Sequence, residues 1–366
     1  MERRRIGVVV HGPEIIDSGW AKRIICLLER RGEVTSLLGG TMGRTAVIDA
    51  SLEDLIDITK RVKPSESIKM LSGEVSEMYL LNYGKSMETG HAFGRIVMHN
   101  VGELEIPLVQ IERPGDADGT VVPWTSTSKE LAEIIAKDLG LDVKTPPQIE
   151  KTVRRDADRV FRKLSGVYTG ELILVNGVVV GRATSRDVEI VTEAGHICEI
   201  IGGEVKEHGL EKIKEVDIES AIIKTGLLRR SKARPRVLDR KNNRKGRIAV
   251  IIDHCAEKSF EICKGADIAI TVGDDTTDIA GDVMYRFGVP IIGITDGDLD
   301  KVVRDTHITP GSTVIRLKSG TDDIVGIRIK EEIFKGKDSI TIDDMEEFRE
   351  RIFGIGKDAI EDVRTY

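Results

Sequence analysis

Short apolar runs rich in valine and isoleucine recur along this chain. Most of them are followed by a glycine-containing turn and then by a segment with helical spacing. Residues 5–10 form the first run, residues 11–14 form a turn, and residues 15–31 place apolar side chains on one side of a helix. A strand that is apolar on both faces is typical of a parallel sheet covered by helices. The recurrence of this pattern predicts an α/β protein.

The pattern predicts two Rossmann-like parallel-sheet units within the 366 residues, a length that suits two or three domains. The first is an N-terminal domain over 1–145, with further strands at 34–38, 78–81 and 108–111 and further helices at 52–62, 86–99 and 126–139. The second is a C-terminal domain over 248–366, with strands at 248–252, 268–272, 290–294 and 313–317, helices at 256–264 and 276–287, and a helical tail over 343–366.

The segment between these units has a different pattern of helical stretches, short strands and turns. This pattern predicts a small α+β domain over 148–228. We expect a charged helix over 148–164 and further short strands at 188–191 and 196–201. Residues 171–181 read as two strands joined by Asn176-Gly177, a pair that suits the tight turn of a β-hairpin. The fold class is therefore α/β, with an α+β insert between two Rossmann-like units.

Composition excludes several classes of protein. The formal net charge is −7 and aromatic residues are only 4% of the chain, which argues against a protein built mainly to coat nucleic acid. No apolar run approaches the roughly 20 residues that a membrane-spanning helix needs. Four cysteines in a chain of this length do not form a disulfide framework. These features predict a cytoplasmic protein.

Acidic residues follow three successive predicted strands of the C-terminal unit. Asp253 ends the first strand, Asp274 and Asp275 follow the second, and Asp296 follows the third. Neighbouring parallel strands end at the same sheet edge, so these carboxylates would repel one another unless a divalent cation lay among them. The pattern predicts a site for Mg²⁺ or Mn²⁺. The alternative is that the aspartates and threonines here only cap the following helices.

Other residues near the same strand ends are candidates for binding or proton transfer. Gly273, Thr276 and Thr277 share the turn after the second strand and are candidate cofactor-binding residues. His254 follows the first strand and is a candidate for proton transfer. Together with the predicted cation, this set favours a phosphate-bearing ligand such as a nucleotide.

The strand ends of the N-terminal domain are rich in glycine and basic residues. Residues Gly39, Gly40, Thr41, Gly43 and Arg44 form one loop in which backbone N–H groups and the guanidinium could approach an anion. The loop lacks the closing Gly-Lys-Ser/Thr of a Walker A motif, and the alternative is a tight turn with a surface arginine.

Two further residues of this domain are candidates at the same edge. Lys85 would lie after the third strand and would add a second cation, unless it is simply solvated. His11 ends the first strand and is a candidate general acid or base, unless it is only hydrogen-bonded in place.

The segment 229–247 contains ten basic residues and one acidic residue. It reads either as a solvated basic linker between the domains or as a segment that faces phosphate or nucleic acid. A steep salt dependence of RNA binding would support the second interpretation.

Four segments of the chain resemble a known family. Residues 10–19, 39–44, 272–277 and 290–298 are similar to an archaeal, mainly methanogen, family known as domain of unknown function 2117. The resemblance covers most of the chain and implies an archaeal cytoplasmic protein. It implies no activity and no catalytic residues.

The sequence thus favours an enzyme or binding protein for a nucleotide or phosphometabolite, with a divalent cation in a cleft between the two α/β units. One alternative is a ligand or metal sensor, or an assembly factor, that binds without turnover. Another is an RNA-associated protein that uses residues 229–247. The expected partner is a small anionic ligand and not a membrane, and the sequence leaves both catalysis and a homo-oligomer open.

Overall fold

The computed structural model describes residues 4–147, 152–213, 215–226, 233–238, 246–253, 259–262, 265–297 and 307–366. Contacts between Cα atoms divide the chain into two compact units, Met1–Ala233 and Arg234–Tyr366. We refer to them as unit 1 and unit 2. Both contain helices and strands, so the protein is of mixed α/β structure.

Unit 1 begins with a six-stranded sheet in the order β2-β1-β3-β4-β5-β6. Its strands are β1 (Arg4–His11), β2 (Gly32–Gly39), β3 (Glu77–Asn82), β4 (Leu108–Glu112), β5 (Thr120–Pro123) and β6 (Asp142–Val143). The first four pair in parallel, but β5 runs antiparallel to β4. The link between β4 and β5 is too short for the crossover that parallel strands need. The sheet is therefore partly antiparallel, and the prediction of a Rossmann-like parallel-sheet unit holds only for the pairing of β2, β1, β3 and β4.

Six helices cover the two faces of this sheet. They are α1 (Glu14–Asp17), α2 (Trp20–Glu29), α3 (Arg44–Asp49), α4 (Pro64–Ser72), α5 (Met87–Val101) and α6 (Lys129–Leu139). Apolar residues of α1, α2, α3 and α6 share one core cluster, and those of α4 and α5 share the other. The helix predicted over 15–31 is interrupted at Gly19, whose φ of 78° is left-handed.

The helix predicted over 52–62 is wrong. This segment runs beside β2, where the amide of Leu38 donates to the carbonyl of Asp57 and the amide of Asp57 donates to the carbonyl of Ser36. Those bonds complete the exposed edge of β2 and take up the backbone groups that a helix would use internally. The local helical spacing is thus overridden by pairing with a strand that is distant in sequence.

The rest of unit 1 consists of two four-stranded antiparallel sheets and one short helix. The elements are β7 (Val153–Asp156), β8 (Arg159–Leu164), β9 (Leu172–Val175), β10 (Val178–Ala183), β11 (Val188–Glu193), β12 (His196–Ile201), β13 (Gly203–Val205), α7 (Glu207–Lys212) and β14 (Ile223–Thr225). The sheet orders are β12-β11-β8-β7 and β13-β10-β9-β14. We call this part, residues 152–226, the β-rich part.

The β-rich part confirms one local prediction and overturns another. The β9–β10 hairpin turns at Asn176 and Gly177, whose φ values of 49° and 89° match a primed two-residue turn. The helix predicted over 148–164 is wrong for the described residues 152–164, because β7 and β8 form a hairpin there. Charged residues of this hairpin pair with residues on other strands, as Arg154 does with Glu189. Phe161 of the same hairpin is buried.

Unit 2 holds a second six-stranded sheet, in the order β19-β15-β16-β17-β18-β20. Its elements are β15 (Arg247–Asp253), α8 (Ser259–Ile262), β16 (Ile268–Val272), α9 (Asp274–Arg286), β17 (Ile291–Thr295), β18 (Thr313–Leu317), α10 (Asp322–Glu332), β19 (Ser339–Ile342), α11 (Met345–Gly356) and β20 (Ile360–Thr365). The inner four strands are parallel and the outer two are antiparallel to their neighbours.

The antiparallel edges of unit 2 correct the predicted helical tail. Residues 343–366 form α11, one 3-10 turn at Lys357–Ala359 and then the edge strand β20. Pairing with β18 decides the conformation of these last residues, since their own pattern is too short and too charged to mark a strand. Helices α8 and α9 pack on one face of the sheet, and α10 and α11 pack on the other.

Candidate functional sites at two sheet edges

Three aspartates meet at the carboxyl edge of the unit 2 sheet. Asp274 is the first residue of α9, Asp296 follows β17, and Asp322 is the first residue of α10. One carboxylate oxygen from each residue lies within 4.8 Å of the other two. Asp274 and Asp322 are only 6% and 4% exposed, and Asp296 is half-buried. We call this group the aspartate triad.

Local backbone geometry brings the triad together. Val272 and Ile294 are register partners in the parallel pair β16–β17, so Asp274 and Asp296 each follow by two residues. Gly273 has a φ of 96° and turns the chain sharply from the strand into α9. Its amide donates to the carbonyl of Ile294 at 2.9 Å, which ties the two strand ends together.

Main-chain amides orient the three carboxylates. Oδ2 of Asp274 accepts hydrogen bonds from the amides of Asp296 and Gly297 at 3.3 and 3.2 Å. Oδ2 of Asp296 accepts from the amide of Gly320 at 2.7 Å, and Oδ1 of Asp322 accepts from the amide of Asp323 at 2.8 Å. These bonds hold carboxylates of like charge close together in a poorly solvated place, where a divalent cation would relieve their repulsion.

The triad contains two of the four predicted metal ligands and one residue that sequence reasoning missed. Asp322 follows β18 within a few residues, so extending the search for acidic strand ends by one strand would have found it. Asp253 ends β15 but is not a member of the triad. The side chain of Asp275 and the whole of His254 lie outside the described residues, so those predictions stay untested.

The threonines after β16 face the protein interior. Thr276 and Thr277 are 5% and 3% exposed. The hydroxyl of Thr277 lies 2.9 Å from that of Thr271, and a Cβ placed on Gly293 would lie 2.6 Å from the Thr277 methyl group. Thr277 therefore helps to pack α9 on the sheet, and its predicted role in cofactor binding stays a prediction, as do those of Thr276 and Gly273.

A different polar group lies at the carboxyl edge of the first sheet of unit 1. His11, Asn82 and Glu112 end the neighbouring strands β1, β3 and β4, and they are successive register partners. Nδ1 of His11 lies 2.7 Å from Oδ1 of Asn82, and Nδ2 of Asn82 donates to Oε2 of Glu112 at 2.8 Å. We call these three residues the His–Asn–Glu relay.

Two further hydrogen-bond donors bind the Glu112 carboxylate of the relay. The amide of Gly84 donates to Oε1 of Glu112 at 2.6 Å, and Nε2 of Gln110 donates to Oε2 of Glu112 at 2.7 Å. Burial of Glu112, which is 0% exposed, raises its pKa to about 7 against the lowering effect of these hydrogen bonds. Burial also lowers the pKa of His11 to about 4, so the imidazole is neutral at pH 7.

Sequence reasoning selected His11 but missed the partners that orient it. The signal was present, since Gln110 is a polar residue within the otherwise apolar predicted strand 108–111 and Glu112 follows it directly. A buried polar side chain in a strand needs a hydrogen-bond partner, and the residues at the ends of neighbouring strands are the natural ones. Asn82 directly follows the apolar residues of β3 and supplies that partner.

The predicted glycine-rich loop adjoins the relay. Gly39 is the register partner of His11, and Gly40 follows with a φ of 89°. A Cβ on Gly43 would lie 3.0 Å from the carbonyl oxygen of Gly12, so the two strand-end loops touch. Arg44 begins α3 and is 2% exposed, so it is not a surface arginine; the predicted anion binding by it, Gly39, Gly40, Thr41 and Gly43 stays a prediction.

Lys85 is engaged by the β-rich part. Its Nζ pairs with Oε2 of Glu171 at 2.6 Å, donates to Oγ1 of Thr225 at 2.9 Å and donates to the carbonyl of Gly166 at 3.3 Å. An anionic ligand at Lys85 would therefore have to displace Glu171. The ion pair instead ties the loop after β3 to the β-rich part within unit 1.

The structure tests two other predictions only in part, namely the role of the basic segment 229–247 and the absence of a membrane-spanning helix. Of the basic segment 229–247, only residues 233–238 and 246–247 are described, so the predicted RNA-facing role lies mostly outside the described residues. Among the described helices, none is long and apolar enough to cross a membrane.

Comparison with known proteins places the chain in a family. The model of DUF2117, described as an uncharacterized protein conserved in archaea, matches residues 8–337. The uncharacterized protein MJ0065 of Methanocaldococcus jannaschii is 48% identical over 328 residues, which cover 88% of this chain and 89% of that protein. No solved structure matches. The resemblance seen in the four sequence segments is thus confirmed, and the chain belongs to the archaeal DUF2117 family.

Proposed function

We propose that unit 2 binds Mg²⁺ or Mn²⁺ at the aspartate triad and, through the cation, a phosphate-bearing ligand such as a nucleotide or phosphometabolite. The observation that carries this proposal is the convergence of three carboxylate oxygens within 4.8 Å from three separate strand-end loops. Helix capping alone accounts for single aspartates, but it does not require three to share one place.

The ligand set suits a hard cation with open positions. Mg²⁺ and Mn²⁺ prefer oxygen ligands, and Mg²⁺ is commonly held by one or two carboxylates together with water and substrate phosphates. Three monodentate carboxylates would leave about three positions of an octahedron for water or phosphate oxygens. The unit 2 edge can therefore present a cation to an anionic ligand that the carboxylates alone would repel.

Phosphoryl or nucleotidyl transfer, or hydrolysis of a phosphate ester, is the reaction class that follows if the bound ligand is turned over. The cation would polarise the phosphoryl oxygens, and the triad would hold it in place. A sensor that uses the same site would bind cation and ligand together without product formation. The interpretation of both large sheets as Rossmann-like belongs to this proposal, since such sheets bind ligands at their carboxyl edges.

Calorimetric titration of the metal-free protein with Mn²⁺ tests the proposal. We expect one site per chain, and we expect Asp296→Asn to weaken binding at least about tenfold because it removes one charged ligand. Asp343→Asn, which changes an exposed aspartate after β19, is the matched control and should bind like the parent protein. Equal affinity in the parent and Asp296→Asn proteins would refute the site.

A titration with ATP in the presence and absence of Mn²⁺ tests the second half of the proposal. We expect ATP binding to require the cation, since three carboxylates without a cation among them would repel the triphosphate. ATP binding of equal strength in a chelator would show that the nucleotide does not bind through the triad. Product formation over time then separates an enzyme from a sensor.

A further inference from the structure

The His–Asn–Glu relay lies where an open α/β sheet ordinarily binds its ligand. The strand order places β1 between β2 and β3, so the chain leaves β1 toward one side and later returns to the other. Such a reversal opens a crevice at the carboxyl ends of the two central strands. His11 ends β1 here, and among the described residues its Nε2 has no hydrogen-bond partner. The protonation of this nitrogen therefore decides what His11 presents at the edge.

The side-chain amide of Gln110, behind the relay, has one possible orientation. The indole N–H of Trp124 can only donate, and it lies 2.9 Å from Oε1 of Gln110. The carbonyl of Gly90 can only accept, and it lies 2.9 Å from Nε2 of Gln110. Inverting this amide would place two donors together at one end and two acceptors together at the other. Nε2 of Gln110 therefore always donates to Oε2 of Glu112, at 2.7 Å.

The side-chain amide of Asn82 is free of such constraints. Oδ1 contacts Nδ1 of His11 and Nδ2 contacts Oε2 of Glu112, and these are its only side-chain hydrogen bonds among the described residues. Both neighbouring atoms can act as donor or as acceptor, depending on where a proton lies. Rotation of the Asn82 amide by a half turn therefore breaks no bond outside the relay.

The neighbours of Glu112 decide where a proton on its carboxyl group would point. Oε1 already accepts from the amide of Gly84 at 2.6 Å. Oε2 lies between two side-chain amides, of which Gln110 must donate and only Asn82 can turn to accept. A proton on Glu112 is therefore best stabilised on Oε2, where it faces Oδ1 of Asn82. Nδ2 of Asn82 then faces Nδ1 of His11, which must accept.

Glu112 is placed to gain and lose a proton near neutral pH. Its carboxyl group is 0% exposed, and it forms no ion pair with a basic side chain among the described residues. Its hydrogen-bond partners are the neutral amides of Asn82, Gly84 and Gln110. A buried carboxylate without a counter-ion is costly. Burial accordingly raises the pKa of Glu112 to about 7, and it lowers that of His11 to about 4.

The elements around the relay carry other charged or titratable groups. These are Glu14 and Asp17 on α1, Arg44 on α3, Tyr83 and Lys85 after β3, Glu88 and His91 on α5, Arg113, Asp116 and Asp118 after β4, and Glu171 and Lys224 in the β-rich part. Of these types only histidine ordinarily titrates between about pH 5.5 and 8.5. Nε2 of His91 contacts Oγ1 of Thr120 on β5 at 2.8 Å, outside the relay. Glu112 is therefore the relay residue expected to change charge in this range.

We propose that the relay is a pH-sensitive switch, in which protonation of Glu112 inverts the Asn82 amide and moves the imidazole proton of His11 from Nδ1 to Nε2. Glu112 takes one proton from solvent. His11 releases the proton on Nδ1 to solvent and takes another on Nε2, so the charge of the ring does not change. Nε2 presents a lone pair when Glu112 is ionised and an N–H donor when Glu112 is protonated. The switch uses neither a metal nor the aspartate triad.

Long-range ¹H–¹⁵N spectra of the full chain test the switch, because they report the protonation of each ring nitrogen of a histidine. The His11 signals can be assigned through contacts with the ring of Phe93, which stacks on the imidazole at a centroid distance of 3.9 Å. We expect the Nδ1–H tautomer at about pH 8.5 and the Nε2–H tautomer at about pH 5.5, on either side of the Glu112 pKa of about 7. An ordinary histidine would instead gain a second proton as pH falls through about 6.5.

Two variants show whether Glu112 drives the change of tautomer. Glu112→Gln removes the titrating group, so His11 should keep one tautomer over the whole pH range. Glu77→Gln is the matched control, since it alters another buried glutamate, at the opposite end of β3 from Asn82. His11 should change tautomer in this control as it does in the parent protein.

Three results would overturn the proposal. The first is a single His11 tautomer at both pH values in the parent protein, and the second is a His11 ring with both nitrogens protonated at about pH 5.5. The third is a pH-dependent change of tautomer that persists in Glu112→Gln. The first two need no variant, so the proposal remains testable even if Glu112→Gln does not fold.

Discussion

The two large sheets of this protein carry different polar groups at the carboxyl ends of their parallel strands. At the unit 2 edge three carboxylates face one another and are oriented by main-chain amides. At the unit 1 edge a single buried carboxylate is separated from a neutral histidine by the amide of Asn82. The comparison shows that the carboxyl edges of similar parallel strands can carry very different polar groups.

The difference arises from where each carboxylate lies relative to its strand. The triad residues come after their strands, in turns and at the first positions of helices, where main-chain N–H groups are available. Glu112 is the last residue of β4 and lies below a helix, so side-chain amides and one turn amide surround it. Burial therefore keeps Glu112 away from other acidic groups, while the turns of unit 2 gather them.

The largest effect should come from filling the space over Glu112. A Cβ on Gly90 would lie 1.9 Å from the carboxyl carbon of Glu112, so Gly90→Ala must displace either α5 or the relay. We expect a loss of about 3 kcal/mol or more in the free energy of unfolding of unit 1, measured by chemical denaturation.

Gly73→Ala is the control for that substitution. Gly73 has no heavy atom within 4 Å of its ideal Cβ and no positive φ, so its replacement should change stability by less than about 0.5 kcal/mol. If Gly90→Ala proved equally harmless, the close packing of α5 on Glu112 would be refuted.

The next largest effect is the dependence of the free energy of unfolding of unit 1 on pH. The pKa of Glu112 is raised in the folded chain to about 7 from an ordinary value of 4.5, so the folded state binds this proton more tightly than the unfolded state does. The stabilisation from Glu112 is therefore full below about pH 4.5 and is lost as pH rises through about 7. We expect the loss to be about 3 kcal/mol over this window.

Denaturation of Glu112→Gln over the same pH range tests this expectation. Glutamine cannot ionise, so the variant should lose the part of the pH dependence that Glu112 causes. An unchanged slope of unfolding free energy against pH in the variant would show that Glu112 is ionised throughout.

A smaller effect is expected at the link between the first sheet of unit 1 and its β-rich part. Lys85 and Glu171 form a pair whose side chains are 18% and 19% exposed, so Lys85→Ala should cost about 1–2 kcal/mol. Hydrogen exchange should rise in β9 and β14, which flank this contact.

The matched control for Lys85→Ala is Arg155→Ala. The side chains of Arg155 and its partner Glu219 are 70% and 38% exposed, and such pairs contribute less than about 1 kcal/mol. If Lys85→Ala left exchange in β9 and β14 unchanged, the ion pair would not hold the β-rich part in place.

Buried parallel strands were the most predictable part of the fold. The strands at 268–272 and 313–317 have the predicted bounds, because continuous apolar runs between turns identify a strand covered on both faces. The inner strand β5, the edge strand β20 and the β7–β8 hairpin were not predicted. Their sequences are short or charged, and pairing with strands elsewhere in the chain decides their conformation.

The candidate sites were predictable to the extent that they follow strand ends. Asp274 and Asp296 were predicted to lie together on that argument, and the structure brings them together. Asp322 follows the same rule one strand later. Asn82 and Glu112 could not be assigned from local pattern alone, since their significance depends on a strand register that joins residues 30 positions apart.

Anomalous diffraction from a crystal grown with Mn²⁺ shows directly whether the aspartate triad binds a cation. We expect a single strong peak among Asp274, Asp296 and Asp322, about 2.0–2.3 Å from one oxygen of each carboxylate. We also expect this peak to be absent from Asp296→Asn crystals. A Mn²⁺ peak elsewhere with none at the triad would refute the metal site and would leave these aspartates without a role as ligands.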